Sequence, residues 1–130
     1  MPAPNRQSAH DAITEQIIAG GIEVHRALGP GLLESTYEAC LSWELLARGL
    51  RVQRQVEVPV SYRGHTLQVG YRVDLLVEAA VVVEVKSVTR VPPIAEAQLL
   101  TYLKLLRLDR GLLCNFNVTL FRDGITRLVR

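Results

Sequence analysis

The stretch Val81-Val82-Val83-Glu84-Val85-Lys86 is as apolar as a central β-strand can be, yet it carries a carboxylate and an ammonium group. Strand alternation puts Glu84 and Lys86 on one face, roughly 7 Å apart at about 3.3 Å per residue. Burying a charge without a partner is costly, so each needs a compensating reason. Taken alone, the pair is satisfied by an ion pair on a strand end that reaches solvent.

Just upstream, Gly70-Tyr71-Arg72-Val73-Asp74 leads into Leu75-Leu76-Val77 and sets Asp74 inside a second apolar strand. If the two strands pair through the tight connection Glu78-Ala79-Ala80, Asp74 and Glu84 sit side by side. Two carboxylates in a partly buried site repel, and one is forced to hold its proton unless a cation neutralises them. Mg²⁺ or Mn²⁺, hard ions that take carboxylate and water oxygens together with substrate phosphate, would do so. Lys86 beside such an ion would orient an attacking water and offset charge developing on a phosphate. The set Asp74, Glu84 and Lys86 therefore suits metal-assisted phosphodiester hydrolysis.

Outward from these strands, the pattern before them is helical. Ser8 is the expected N-cap of a first helix, with Asp11 three residues on, apolar positions at Ile13, Ile17, Val24 and Leu28, and a stop at Gly29-Pro30-Gly31. Gly20-Gly21 inside it points to a close crossing or to a local kink. A second helix is expected from Leu33 to Arg48, capped by Gly49. From Val52 the period becomes two as far as Tyr62, with Pro59 confining that strand towards an edge. A return strand from Leu67 to Val77, a third from Val81 to Val88, a helix over Ile94 to Leu108, a strand from Gly111 to Phe116 and a last segment from Phe121 to Val129 complete the reading. The order α-α-β-β-β-α-β-β predicts an α/β (α+β) fold with one mixed sheet flanked by helices. A single domain is expected over residues 1–130, with residues 1–7 as a flexible tail.

Composition narrows the function classes. A chain of 130 residues buries enough surface for a core without staples. Cys40 and Cys114 lie far apart with no second Cys or His at zinc spacing, and read as buried free thiols in a reducing cytoplasm. The N-terminal stretch lacks an apolar signal core, and runs such as Ala79 to Val83 are too short to span a bilayer. A cytoplasmic protein away from membranes is expected. A net charge of +2 announces no strongly basic nucleic-acid binder. Thirteen of the fifteen basic residues are Arg, so Lys86 is one of only two lysines.

The combination of Asp74 with Glu84-Val85-Lys86 resembles the PD-(D/E)XK nuclease superfamily, and Gly70 to Asp74 resembles the G-x-x-x-D form of its RecB-like branch. Gln98-Leu99-Leu100-Thr101-Tyr102 resembles that branch's Q-x-x-x-Y motif. Gly31-Leu32-Leu33-Glu34-Ser35-Thr36-Tyr37 resembles the signature of the GxxExxY family within the superfamily. The likeness runs from about Ile13 to Val129, with the motifs in the family's order. Val73 stands where the P-D dipeptide has proline, and two cysteines exclude the four-cysteine iron-sulfur cluster of some RecB-like nucleases.

The resemblance implies a restriction-endonuclease-like α-β-β-β-α-β core and a Mg²⁺- or Mn²⁺-dependent nuclease, with DNA as the expected substrate. Asp74, Glu84 and Glu34 would be metal ligands, and Lys86 would position water. Glu34 reads equally as a first-turn glutamate favoured by the helix dipole. Gln98 and Tyr102 share a helix face and, with Tyr37, would support the site or contact nucleic acid. His25 near the end of the first helix falls outside this set. A nuclease fold that binds nucleic acid or a protein without cutting is the alternative. So small a core leaves specificity to dimerisation or a protein partner.

Overall fold

The computed structural model describes residues 5–130 and contains three α-helices and seven strands among them. Helix α1 (Arg6–Leu28) starts earlier than expected. Asn5 is its N-cap, and the Asn5 Oδ1 accepts the Ser8 N–H at 2.8 Å, so Ser8 lies within the first turn. Asparagine caps as well as serine, and the helix takes the earlier of the two. Of the expected tail, residues 1–4 lie outside the described residues, and Asn5 to Gln7 form the cap and first turn. Helix α2 (Glu34–Ala47) ends where Gly49, at φ 86°, lets its own N–H reach Leu46 O and the Leu50 N–H reach Leu45 O.

The long strand expected from Val52 to Tyr62 divides at Val58-Pro59. β1 (Val52–Glu57) enters the main sheet, whereas β2 (Val60–Tyr62) pairs only with β3 (His65–Leu67) in a separate two-stranded ribbon. Proline has no N–H to continue the pairing, and the neighbouring Val58 N–H goes to Tyr71 O at 2.8 Å. β4 (Arg72–Val77) and β5 (Val81–Lys86) form a hairpin whose turn residues Glu78 and Ala79 both have positive φ, with the Ala80 N–H on Val77 O. That conformation matches the right-handed strand twist. Helix α3 (Ile94–Leu106) then makes the crossover that a parallel pair requires, and β6 (Arg110–Asn115) and β7 (Ile125–Val129) complete the sheet.

The five-stranded sheet has the order β1-β4-β5-β6-β7, antiparallel except for β5 with β6. β1 is an edge strand, and β5 is central. One core cluster joins Leu75, Val83 and Val85 to Ile17, Tyr37 and Leu41 of α1 and α2. The other joins Val82 and Leu113 to Leu99 and Leu103 of α3. Gly20 and Gly21 mark a close crossing. A Cβ on Gly20 would stand 2.9 Å from Leu45 Cδ2, and one on Gly21 would overlap the Phe121 ring. No helix among the described residues is long and apolar enough to cross a membrane.

Candidate active site

The β4–β5 hairpin pairs Val77 with Val81, Leu76 with Val82 and Leu75 with Val83, and there the ladder stops. The next position in that register sets Asp74 opposite Glu84. Instead of a backbone bond, Asp74 Oδ2 accepts the Val85 N–H at 2.8 Å. The carboxylate thus fills the opening where the strands part.

The apolar parity of the sheet reverses at the same place. Val52 and Leu75 belong to the core beneath α1 and α2, while Val56 and Val73, of matching parity, belong to the core beneath α3. Between them lie Gln55 and Asp74, the one position skipped in the β1–β4 register. A reversal of this kind takes Asp74 out of the regular in-and-out alternation.

Glu84 lies on the α3 face with Val82 and Lys86. Its Oε1 is shut off from solvent and has no hydrogen-bond partner. Burial first, then the charge of Asp74 and a hydrogen bond with its side chain, push the Glu84 carboxyl up to about 8, against the opposing pull of Lys86 and of the Asp74 backbone. Tyr102 closes the site from α3: its hydroxyl is held above its ordinary value by burial, then by the charge of Glu84. The Tyr102 ring lies 5.9 Å from that of Tyr71. Gln98, one turn earlier and exposed, lines the groove beside both tyrosines.

The other expected residues fall differently. Glu34, exposed in the first turn of α2, accepts the Ser87 N–H at 3.4 Å just past the end of β5. No three His, Cys, Asp or Glu side chains among the described residues are close enough to hold one metal ion, so the expected set of Glu34, Asp74 and Glu84 does not assemble. Glu34 instead meets the chain at Ser87, one residue beyond the end of β5. Tyr37 is no nucleic-acid contact. It is fully buried, stacks on Phe116 at 4.5 Å, donates to Gly29 O and accepts the Leu32 N–H, which ties down the loop before α2. His25 is bound through Nε2 to Val118 O at 2.7 Å.

Two neighbours escape a reading by pattern. Glu38, buried one turn after Glu34, receives Arg54 on one oxygen and the Gln55 amide on the other at 2.8 Å. The same Gln55 amide reaches Asp74 Oδ1 at 3.3 Å. A spacing of three and seven residues from Leu41 and Leu45 was the available sign that Glu38 turns inward. For Gln55, on the polar parity of an edge strand, there was none.

The family model of the PD-(D/E)XK nuclease superfamily matches residues 11–128. The chain belongs to this superfamily. No curated protein and no solved structure matches it. The PD-(D/E)XK match spans nearly the whole fold, and its mixed sheet flanked by helices agrees with a restriction-endonuclease-like architecture. Members of the superfamily are typically nucleases that use divalent metals. The donors here fit such an ion, because hard cations take carboxylate oxygens. Asp74 acts on Glu84 by charge and hydrogen bonding, and one Glu84 oxygen is buried without a partner.

Proposed function

We propose that the protein is a Mg²⁺- or Mn²⁺-dependent nuclease acting on DNA, of the RecB-like branch and the GxxExxY family. The observation that carries this reading is the partnerless Glu84 oxygen opposite Asp74, beside Lys86 on one face of the central strand. A structural ion pair would leave neither an orphaned oxygen nor a carboxyl pushed up to about 8 by burial and a like charge.

A divalent ion bound by Asp74 and Glu84 would polarise the scissile phosphate and make its bound water more acidic. The Val85 N–H holds the Asp74 carboxylate in place from the strand. Lys86 directs its ammonium to the same face, where it orients the water and offsets charge gathering on the phosphate oxygens. Glu34 acts through water from the start of α2. Tyr102 and Gln98 flank the phosphate on the α3 side, where the groove receives the adjoining nucleotides.

Incubating the protein with single-stranded, duplex and branched DNA and RNA, with Mg²⁺, Mn²⁺ or EDTA, tests the reading. Metal-dependent cutting that falls about 10²-fold or more in Lys86→Ala is expected. Cutting unchanged by that substitution overturns the assignment. Tight, salt-sensitive binding of DNA without turnover would instead identify a non-cleaving module on the same fold.

A further inference from the structure

Gln55 sits in the middle of β1 with φ 52°, in the left-handed region. Strand residues ordinarily have φ near −140°, and only glycine enters the left-handed region without strain. Strain of this kind persists where the surroundings over-determine it, and it gathers at functional sites. Here the strained residue is the one opposite Asp74 in the β1–β4 register, where the backbone pairing is skipped.

The twist has a chemical consequence. The Gln55 Nε2 lies 2.8 Å from Glu38 Oε1 and 3.3 Å from Asp74 Oδ1. Both partners are acceptors, so the amide presents its NH₂ end and uses one hydrogen for each. Glu38 is a firm anchor, only 7% exposed, with its other oxygen taken by Arg54 Nε at 3.2 Å and Nη2 at 3.1 Å. The guanidinium charge is thereby spent on Glu38. What reaches Asp74 is a neutral donor, which orients the carboxylate without cancelling its charge.

We propose that Gln55 is a positioning residue for Asp74: a neutral clamp, strained into place and anchored through Glu38 to α2, that fixes the carboxylate as a metal ligand. This rests on the reading of Asp74 as a ligand given above. The Gln55 amide holds Oδ1, the Val85 N–H holds Oδ2, and each oxygen keeps a lone pair for a cation. Glu38 is then a second carboxylate of α2 that supports the site, acting at one remove through Gln55.

Gln55→Gly separates positioning from simple structure, because it removes the amide while relieving the strained backbone. Relief of the strained backbone offsets part of the cost of leaving Glu38 Oε1 without its donor, so the thermal midpoint is expected to stay close to that of the wild type. In the metal-free protein, amide hydrogen exchange at Val85 is expected to quicken about tenfold or more as Asp74 swings free. Mn²⁺ affinity by calorimetry is expected to fall about 10–100-fold, the usual effect of losing a partner behind a metal ligand. In cleavage kcat should fall with KM little changed, and Gln55→Asn, which keeps an amide and tolerates the left-handed region, should recover part of the loss. Val85 exchange or Mn²⁺ affinity unchanged in Gln55→Gly overturns the proposal. A wild type that binds no Mn²⁺ defeats the metal reading instead, and the Val85 exchange alone then decides whether Gln55 holds Asp74.

Discussion

Asp74 stands opposite Glu84 at the first register position beyond the β4–β5 ladder, and its carboxylate takes the Val85 N–H that the ladder leaves open. Neither residue owes its place to a loop. Both lie on interior strands of the sheet, β4 between β1 and β5 and β5 between β4 and β6, although the ladders on either side of β4 are interrupted at Asp74 itself. A site on rigid strands needs little reorganisation to receive an ion, and the cost of crowding two carboxylates is already met by folding.

Binding to the folded state alone raises stability by mass action, so Mn²⁺ should stabilise this protein measurably. At a free concentration a hundredfold above Kd the gain is about 2.7 kcal/mol. Thermal unfolding with and without Mn²⁺ reads it directly, and Asp74→Asn should abolish the gain. An equal shift in that variant would place the bound ion elsewhere.

Without metal, stability should decline with rising pH. The Glu84 carboxyl, ordinarily near 4.5, is raised to about 8 in the folded protein. Its contribution is therefore complete below pH 4.5, where both states hold the proton. It is lost as pH climbs towards 8, because the unfolded chain releases a proton that the folded one retains. The slope from this one group is at most about 1.4 kcal/mol per pH unit. Urea titrations in EDTA between pH 5 and 8 should show it, and Glu84→Gln should flatten it. A wild-type stability that rises across this window would contradict the burial of Glu84.

Much of the candidate site was legible because its logic is that of alternation. Charges at Asp74, Glu84 and Lys86 break strands that should be apolar throughout, and a three-residue connection forces the first two together. Gln55 was illegible for the opposite reason. Its left-handed backbone goes with contacts to Glu38 and Asp74 from distant parts of the chain, and no glycine or asparagine announces it. That one residue also inverts the parity of β1, so the uniform alternation from Val52 to Tyr62 described a strand that the fold breaks. Glu34 resembled a motif, but a motif gives spacing along a helix and not the partners of the side chain, which here include the Ser87 N–H.

Tyr37 should be a stability residue. Its hydroxyl bridges Gly29 O and the Leu32 N–H from a fully buried ring. Tyr37→Phe keeps the stacking on Phe116 and strands those two backbone groups, a loss of about 1–3 kcal/mol. Urea denaturation measures it. A neutral substitution would show that water replaces the hydroxyl, and that the loop before α2 is looser than its contacts indicate.

Gly20 and Gly21 allow the crossing of α1 to be tested against its sequence alternative, a kink. On helix propensity alone, either Gly→Ala change should stabilise α1 by about 1 kcal/mol. At Gly21 the new methyl would overlap the Phe121 ring, which is buried against Phe116 and cannot easily retreat. Overpacking of this kind costs about 1–3 kcal/mol, so Gly21→Ala should be net destabilising. At Gly20 the nearest atom is the end of the Leu45 side chain, 2.9 Å away, which can shift by rotation. Gly20→Ala should therefore fall well short of the Gly21→Ala loss in the same urea denaturation series. If the two variants were equally stabilised, propensity would be winning at both sites, and α1 would not be pressed against Phe121 as closely as the packing requires.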